Sequence, residues 1–262
     1  MIIAGAGVLL AFLLWAAVVL FATELGVPTT DVTRYRNVLA VFPHADDEAL
    51  NCGGVLHRLS ASGAAVTLVL LTTGERGTPD GTPSARLARA RVDEARRAAR
   101  VLGVTELAQE DLGDGRVRER RADLAASLDR TVARVRPDLV ITYDRSGLYG
   151  HDDHMVCSEV LTELVQARFP QVALWYVTLA RRLQPWVKLD ESLRERRAAP
   201  THKAFVGAHL LAKTRALLAH RSQRRPGWFL LSLLPFEHFA SPPSPSPGFA
   251  HPSSSTRRNA PR

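Results

Sequence analysis

The stretch NVLAVFPHADDE, Asn37 to Glu48, decides the fold because an apolar run ends directly in a cluster of histidine and acidic residues. Residues 37–42 (NVLAVF) have the length and composition of a buried strand. A helical pattern begins at about Asp47 and continues to Ser62. We therefore predict a strand that turns directly into a helix, with the polar cluster at the turn between them.

The same alternation of short apolar runs and helical patterns continues along the chain. Further strands are predicted at 65–72 (AVTLVLLT), 139–143 (LVITY) and 173–179 (ALWYVTL), and helices at 84–102, 121–135, 153–167 and 203–222. Strands separated by helices indicate βαβ units. We predict an α/β fold with a Rossmann-like, mainly parallel sheet and helices on both faces. Ligands bind beyond the carboxyl ends of the strands in such folds.

The first residues suggest a membrane segment. Residues 2–22 contain no charge, and a helix needs roughly 20 apolar residues to cross the hydrocarbon core. No basic residue precedes the run and Leu20-Phe21-Ala22 is a poor cleavage site, which favours a retained transmembrane anchor over a signal peptide. Arg34 and Arg36 follow the run, so the expected location is a single-pass membrane protein with a cytoplasmic catalytic domain.

These patterns divide the chain into four parts. We predict a transmembrane anchor over 1–23, a linker over 24–36 and a catalytic domain over 37–240. Proline and serine dominate from Ser241 onward without periodicity, which predicts a disordered tail over 241–262.

The charge and cysteine content of the chain limit the kinds of partner and cross-link that can be expected. The chain has 34 Lys and Arg against 26 Asp and Glu, a formal net charge of +8. The arginines are spread over helical stretches, which favours solvated helix faces over a nucleic-acid site, so no nucleic-acid partner is expected. The two cysteines, Cys52 and Cys157, provide no disulfide framework and are interpreted as reduced packing residues.

Two polar clusters fall where the predicted sheet would place a site. PHADDE (43–48) follows the first strand, and GHDDH (150–154) follows the LVITY strand by several residues. His44 and Asp47 are three positions apart across a turn, so their side chains can converge, and His154 can supply a third ligand. A His/Asp/His set leaves one position open on zinc for a water whose pKa falls to about 7.

The neighbouring residues suggest the rest of a hydrolytic site. Asp46 could act as general base, His151 could protonate a leaving nitrogen or stabilise an oxyanion, and Asp153 could orient the ring of His151. The alternative is that Asp46 and Asp47 are helix N-caps. Capping needs only one such residue per helix, so the two dense clusters favour a metal site.

PHADDE and GHDDH together resemble the paired signatures of the PIG-L/LmbE family of zinc-dependent deacetylases. The similarity extends from about Val38 to Gln223. Matching positions between and after the signatures are Thr72, Thr73, Gly74, Glu75, Arg91, Glu94, Ala95, Ala98, Ala99, Leu102, Gly103, Val104, Lys213, Ala216, His220, Ser222 and Gln223. Two positions depart from the pattern, since Ala45 and Asp152 each stand where the family usually has proline.

The resemblance implies a zinc ion, or another divalent metal in its place, on three ligands: His44, Asp47 and His154. It also implies that Asp46 is the general base and that His151 acts near the tetrahedral centre, oriented by Asp153. The family alone implies that Arg91 contacts the acetyl or oxyanion end of the substrate.

The implied reaction is removal of acetyl from an N-acetylglucosamine conjugate. The anchor, the positive charge and the apolar stretch 228–236 (WFLLSLLPF) favour a lipid-linked substrate such as N-acetylglucosaminyl-phosphatidylinositol. The alternative for 228–236 is ordinary core packing. Two other functions stay open: a zinc amidase that cleaves a larger amide, and a non-catalytic, basic, membrane-tethered protein that binds anionic lipid or nucleic acid.

Overall fold

The computed structural model describes residues 2–242, which form a seven-stranded sheet in the order β3-β2-β1-β4-β5-β7-β6. The strands are β1 (Asn37–Phe42), β2 (Ala65–Leu70), β3 (Glu106–Gln109), β4 (Leu139–Tyr143), β5 (Ala173–Thr178), β6 (His202–Phe205) and β7 (Phe236–Ala240). The first five are parallel to one another, whereas β7 runs antiparallel to both β5 and β6. The carboxyl ends of β1 to β5 therefore share one edge.

Helices cover both faces of this sheet. The helices of residues 2–242 are α1 (Ile2–Ala22), α2 (Asp47–Ala61), α3 (Ala85–Leu102), α4 (Arg121–Val135), α5 (Gly147–Gly150), α6 (Asp152–Arg168), α7 (Glu191–Arg196), α8 (Leu210–Ala219) and α9 (Pro226–Ser232). Short 3₁₀ turns lie at Val117–Arg120, Gln184–Trp186, Gly207–His209 and Arg221–Gln223.

The central strand β1 divides the core into two layers. Val38, Ala40 and Phe42 pack with α2, α3 and α8, whereas Leu39 and Val41 pack with α4 and α6. Successive side chains of a strand point to opposite faces, and all five are fully buried. This two-sided burial explains the continuous apolar run in the sequence and fixes the polar turn that follows it at the edge of the sheet.

The predicted α/β fold with a mainly parallel sheet and helices on both faces is confirmed, but the last part of the sheet is not as predicted. The helix expected over 203–222 is instead strand β6 followed by a 3₁₀ turn and α8. His202–Phe205 is short and pairs antiparallel with β7, so its structure depends on a partner more than 30 residues away rather than on local periodicity. Strand β7 was not expected from the sequence either.

The predicted transmembrane anchor and membrane location are wrong. Within residues 2–242, no helix combines the length and the apolar character that crossing a bilayer requires. Helix α1 forms where the anchor was expected.

Two smaller predictions concern the tail and the cysteines. The disordered tail predicted for 241–262 lies outside the described residues, apart from 241 and 242. Cys52 and Cys157 are both buried and free, as expected for packing residues.

A buried histidine in β6 should make folding sensitive to acid. The ring of His202 stacks on Phe239, and its Nε2 has no hydrogen-bond partner among the described residues. Burial lowers the pKa of His202 to about 4, below the value of about 6.5 expected in the unfolded chain. The unfolded state therefore binds more protons between these values, so this contribution to stability is complete above pH 6.5 and is lost as pH falls towards 4.

We expect His202→Phe to lose less stability than the wild type when pH falls from 7 to 5. The difference should be about 1 kcal/mol after allowance for solvent screening, because phenylalanine has no proton to gain. Urea unfolding of both proteins at the two pH values measures it. Equal losses for both proteins would show that His202 is not buried in its neutral form.

Candidate functional site

The two polar clusters of the sequence meet at the carboxyl edge of the sheet. His44 lies in the turn after β1, Asp47 begins α2, and His154 lies in the first turn of α6. His44 Nδ1 is 3.1 Å from His154 Nε2 and 3.6 Å from an Asp47 carboxylate oxygen, which is itself 3.5 Å from His154 Nε2. The structure thus brings together the three residues predicted to be metal ligands.

Carboxylates hold the far side of the His44 ring. Its Nε2 lies 3.0 Å from Asp114 Oδ1 and 3.3 Å from Asp153 Oδ2. A carboxylate accepts hydrogen bonds, so in the neutral ring the proton sits on Nε2 and the lone pair of Nδ1 points towards Asp47 and His154.

The other two residues are oriented in the same way. His154 Nδ1 donates to the carbonyl oxygen of Gly147 at 3.1 Å, which leaves the lone pair of Nε2 facing His44. The Tyr143 hydroxyl, at the end of β4, donates to Asp47 Oδ1 at 2.6 Å, so Oδ2 faces the imidazoles. In metal sites, a ligand side chain is commonly oriented by a hydrogen bond to the atom that does not bind the metal.

These three atoms form a donor set that suits a metal cation. Two nitrogen lone pairs and one carboxylate oxygen converge with no hydrogen between them when both rings are neutral. Ligands at 2.0–2.2 Å from a tetrahedral ion lie about 3.4 Å apart, close to the 3.1–3.6 Å observed. The cluster of histidine and aspartate residues could therefore bind a metal ion.

The electrostatics of the cluster agree with that fit. Burial lowers the pKa of His154 to about 3, so its ring is neutral at pH 7 as a metal ligand must be. Burial opposes ionisation of Asp47, but the imidazoles beside it lower its pKa. Burial also opposes a charge on His44, yet hydrogen bonds to Asp114, Asp153 and Asp47 raise its pKa well above the usual value. The carboxylates thus favour positive charge at this point.

The same edge holds two further groups with metal-binding chemistry. The ligand atoms of His44, His151 and His154 lie within 4.8 Å of one another, as do those of His44, Asp114, His151 and Asp153. Asp114 and Asp153 already bind the His44 Nε2 that faces away from Asp47. We therefore favour the position between His44 Nδ1, Asp47 and His154, where the free lone pairs converge.

Asp46 lies beside these residues in an unusual backbone conformation. Its φ of 120° is in the left-handed region, which non-glycine residues rarely adopt. It precedes α2, but its side chain makes no capping hydrogen bond among residues 2–242. Burial raises the pKa of Asp46 to about 7, against the opposing effect of Arg91. Capping thus does not explain this residue.

His151 and Asp153 lie close together but in an arrangement different from the predicted one. The backbone N–H of Asp153 donates to His151 Nδ1 at 3.2 Å. The Asp153 carboxylate instead faces His44 and accepts hydrogen bonds from the backbone of Gly115 and Val117. Burial, followed by the proximity of His44, lowers the pKa of His151 and keeps its ring neutral.

Arg91, from α3, reaches the same turn but is held by the backbone. Its Nη2 donates to the carbonyl oxygen of Ala45 at 2.6 Å and lies 3.5 Å from Asp46 Oδ2. Only 3% of Arg91 is exposed, although it lines the edge of the cavity described below.

Three residues of the site were missed in the sequence. Asp114, in a Gly-Asp-Gly segment, was not among the residues predicted to form the site. Tyr143 ends the predicted LVITY strand, so its place at the ligand edge could have been inferred. Tyr149, whose hydroxyl is 3.5 Å from His154 Nε2, lies in the short, distorted helix α5 and had no clear signal.

A cavity of about 690 Å³ opens over the candidate metal site. His44, Asp46, Asp47 and His151 line its floor. Its apolar wall consists of Leu179, Leu183, Val187, Leu231, Leu234 and Phe236. The apolar stretch 228–236 therefore contributes part of this wall, whereas Phe229 and Leu230 are largely exposed.

Comparisons with known proteins agree with this architecture. Residues 39–165 match the family described as PIG-L: GlcNAc-PI de-N-acetylase. A 1D-myo-inositol 2-acetamido-2-deoxy-alpha-D-glucopyranoside deacetylase of Thermobispora bispora is 32% identical over 253 residues, covering 75% of this chain and 83% of that protein. The protein of the same name from Salinispora arenicola is 38% identical over 160 residues, which span 50% of this chain and only 51% of that protein.

A solved structure shows the same fold. The N,N'-diacetylchitobiose deacetylase of Pyrococcus horikoshii, complexed with its inhibitor MPG, superposes with a TM-score of 0.58 at 24% identity. The superposition covers 80% of this chain and 85% of that one. At this identity the likeness supports the fold alone.

The fold and the site define an α/β protein of the LmbE-like superfamily of deacetylases. Within that superfamily, the chain belongs to the PIG-L family. The predicted family membership and the predicted enzyme class, N-deacetylase, are confirmed.

We expect His154→Ala to abolish tight binding of a divalent ion, since it removes one of three converging donors. Tyr143→Phe should keep the ion but weaken its affinity about 10- to 100-fold, because the hydroxyl only orients Asp47. Titration of metal-free protein with Zn²⁺ by calorimetry measures both effects. His57→Ala, in the middle of α2 and away from the cavity, is the matched control. Unchanged zinc affinity in His154→Ala would exclude this donor set.

Proposed function

We propose that this chain is a zinc-dependent hydrolase that removes the acetyl group from an N-acetylglucosamine conjugate. The observation that carries the proposal is the convergence of His44, Asp47 and His154, within 3.6 Å of one another, beside an open cavity that His44 and Asp47 line. The family of the chain and the names of its relatives support the same chemistry.

The donor set supports zinc as the metal. Two imidazole nitrogens and one carboxylate oxygen are typical ligands of catalytic zinc and leave one position for water or substrate. When bound, the ion supplies Lewis-acid chemistry, which polarises a carbonyl group and acidifies water. Another divalent ion could use the same donors, so the identity of the metal is part of the proposal.

Asp46 is the proposed general base. Its carboxylate borders the three donors, and it accepts the proton of the water that attacks the acetyl carbonyl carbon. A pKa of about 7 suits this role, since a base is most effective when its pKa is near the working pH. The C–N bond then breaks to give acetate and a free amine.

His151 is the proposed proton donor and oxyanion partner. Its Nδ1 accepts the backbone N–H of Asp153, so the neutral ring carries its proton on Nε2. That N–H can stabilise the developing oxyanion or protonate the leaving nitrogen. Asp153 thus orients His151 through its backbone, while its carboxylate orients His44.

We assign the substrate to the class of N-acetylglucosaminyl-inositol conjugates. The named activity of the Thermobispora bispora and Salinispora arenicola relatives, deacetylation of an N-acetylglucosamine joined to inositol, supports this class. The apolar wall of the cavity supports a second candidate, a conjugate with lipid attached to the inositol. Burial of each lipid methylene on such a wall would contribute about 0.8 kcal/mol.

Acetate release from a panel of conjugates tests the function. The panel contains N-acetylglucosaminyl-inositol, its phosphatidylinositol form in detergent, diacetylchitobiose and an inositol conjugate with a longer N-acyl group. We expect the highest kcat/KM for one of the two inositol conjugates with an acetyl group. Preference for the longer acyl chain would instead indicate an amidase for larger amides, and release from none would contradict a hydrolytic function.

Variants of the proposed base and of a proposed metal ligand test the mechanism. We expect Asp46→Ala to keep wild-type zinc content while its kcat falls by about 10²- to 10⁴-fold, because the lost group acts only as a base. His154→Ala should lose both zinc and turnover. Acetate release and metal analysis on the same samples separate the two cases. A fully active Asp46→Ala protein would remove the assignment of the base.

A further inference from the structure

The peptide group between Ala45 and Asp46 determines where the proposed base points. Rotation about the N–Cα bond of Asp46 sets the direction of its side chain relative to this group. Asp46, Arg136 and Leu148 are the non-glycine residues with positive φ in the part of the chain that the structure describes. Such a conformation persists only where surrounding contacts hold it.

A buried pair of side chains holds the N–H end of this peptide group. The Asp46 N–H donates to Glu48 Oε2 at 3.0 Å. The other oxygen of Glu48 accepts a hydrogen bond from His220 Nε2, 2.8 Å away. Glu48 and His220 are each 1% exposed, and His220 lies at the end of α8. The pair therefore links the turn after β1 to a helix distant in sequence.

A guanidinium group holds the carbonyl end. Arg91 Nη2 donates to the Ala45 oxygen at 2.6 Å. Glycines leave the room that this group needs, because a Cβ atom at Gly74 or Gly77 would lie 2.4 Å from Arg91 atoms. The two ends of one peptide bond are thus held by buried groups of opposite charge.

We propose that Glu48, His220 and Arg91 act as positioning residues that clamp the Ala45–Asp46 peptide and thereby aim the Asp46 carboxylate. The inference rests on the proposed role of Asp46 as general base. Neither Glu48 nor His220 lines the cavity, so neither contacts substrate. Arg91 acts through the Ala45 carbonyl rather than as the main partner of the oxyanion.

The clamp should affect the rate of reaction rather than the binding of substrate or metal. A displacement of about 1 Å in a reacting group can cost on the order of 10²-fold in rate. The clamp bonds to backbone and leaves the donor atoms of His44, Asp47 and His154 untouched. Its loss should therefore lower kcat while KM and zinc content are kept.

Substitutions at the buried pair test the clamp in the full-length, zinc-loaded protein. We expect His220→Phe and Glu48→Leu to lower kcat about 10- to 100-fold with KM within about 2-fold. Glu48→Gln keeps an oxygen for the Asp46 N–H and should retain most of the rate. Ser222→Ala is the matched control, since it removes a nearby hydrogen bond to Glu94 without touching Asp46.

A double substitution separates positioning from general damage to the fold. If His220 acts through Asp46, His220→Phe should cause no further loss of kcat in the Asp46→Ala protein. The same fold-loss in both backgrounds would overturn the clamp. An unchanged kcat in His220→Phe, or a raised KM alone, would overturn it as well.

Crystal structures decide the question without activity. We expect the φ of Asp46 to leave the left-handed region in His220→Phe or Glu48→Leu. If φ stays near 120° in both, the clamp is refuted even if the enzyme is active. If no conjugate releases acetate with the wild type, the proposed function fails, while this structural comparison still tests the clamp.

Discussion

The site depends on the burial of four carboxylates at one edge of the sheet. Asp46, Asp47 and Asp114 are 6–7% exposed, and Asp153 is fully buried. An ionised carboxylate away from water is costly unless it is paired or fully hydrogen-bonded. The surrounding loops therefore have to bring donors to these groups, and the positions of the loops follow from that requirement.

Backbone amides supply much of this compensation and join loops that are distant in sequence. Asp114 Oδ2 accepts the N–H of Arg76, while the N–H of Asp114 donates to Glu75. The loop after β2 and the turn after β3 thus hold each other by reciprocal bonds. Asp153 adds the N–H groups of Gly115 and Val117. The charges that favour a cation also order the loops around it.

The sequence predicts the parts of the site that are continuous with a buried strand. β1 and β4 are apolar runs, and the polar residues after them must lie at the same edge in a parallel sheet. His44, Asp47 and His154 follow from that rule. Asp114 does not, because a Gly-Asp-Gly segment is also typical of a turn, and its role appears only once β3 pairs with β2.

The antiparallel strands at the end of the sheet could not be predicted from the local sequence, for a similar reason. The His202–Phe205 segment carries no strong period, and its strand depends on pairing with β7. The uncharged, apolar composition of residues 2–22 also favoured a membrane span, which the structure does not support. Secondary structure was predicted best for strands that are buried on both faces, because their composition is continuously apolar. It was predicted worst for segments whose conformation depends on pairing with a distant part of the chain.

The substitution of alanine for the usual proline at position 45 fits this view of the turn. A proline ring fixes φ at its own position, whereas alanine leaves that angle to its surroundings. The peptide that follows Ala45 is held by Arg91 on its oxygen and by Glu48 on its nitrogen. Both contacts involve backbone atoms that alanine and proline supply equally. The turn can therefore lose the proline ring and keep its conformation, because charged groups from distant parts of the chain, rather than the stiffness of residue 45, hold the peptide in place.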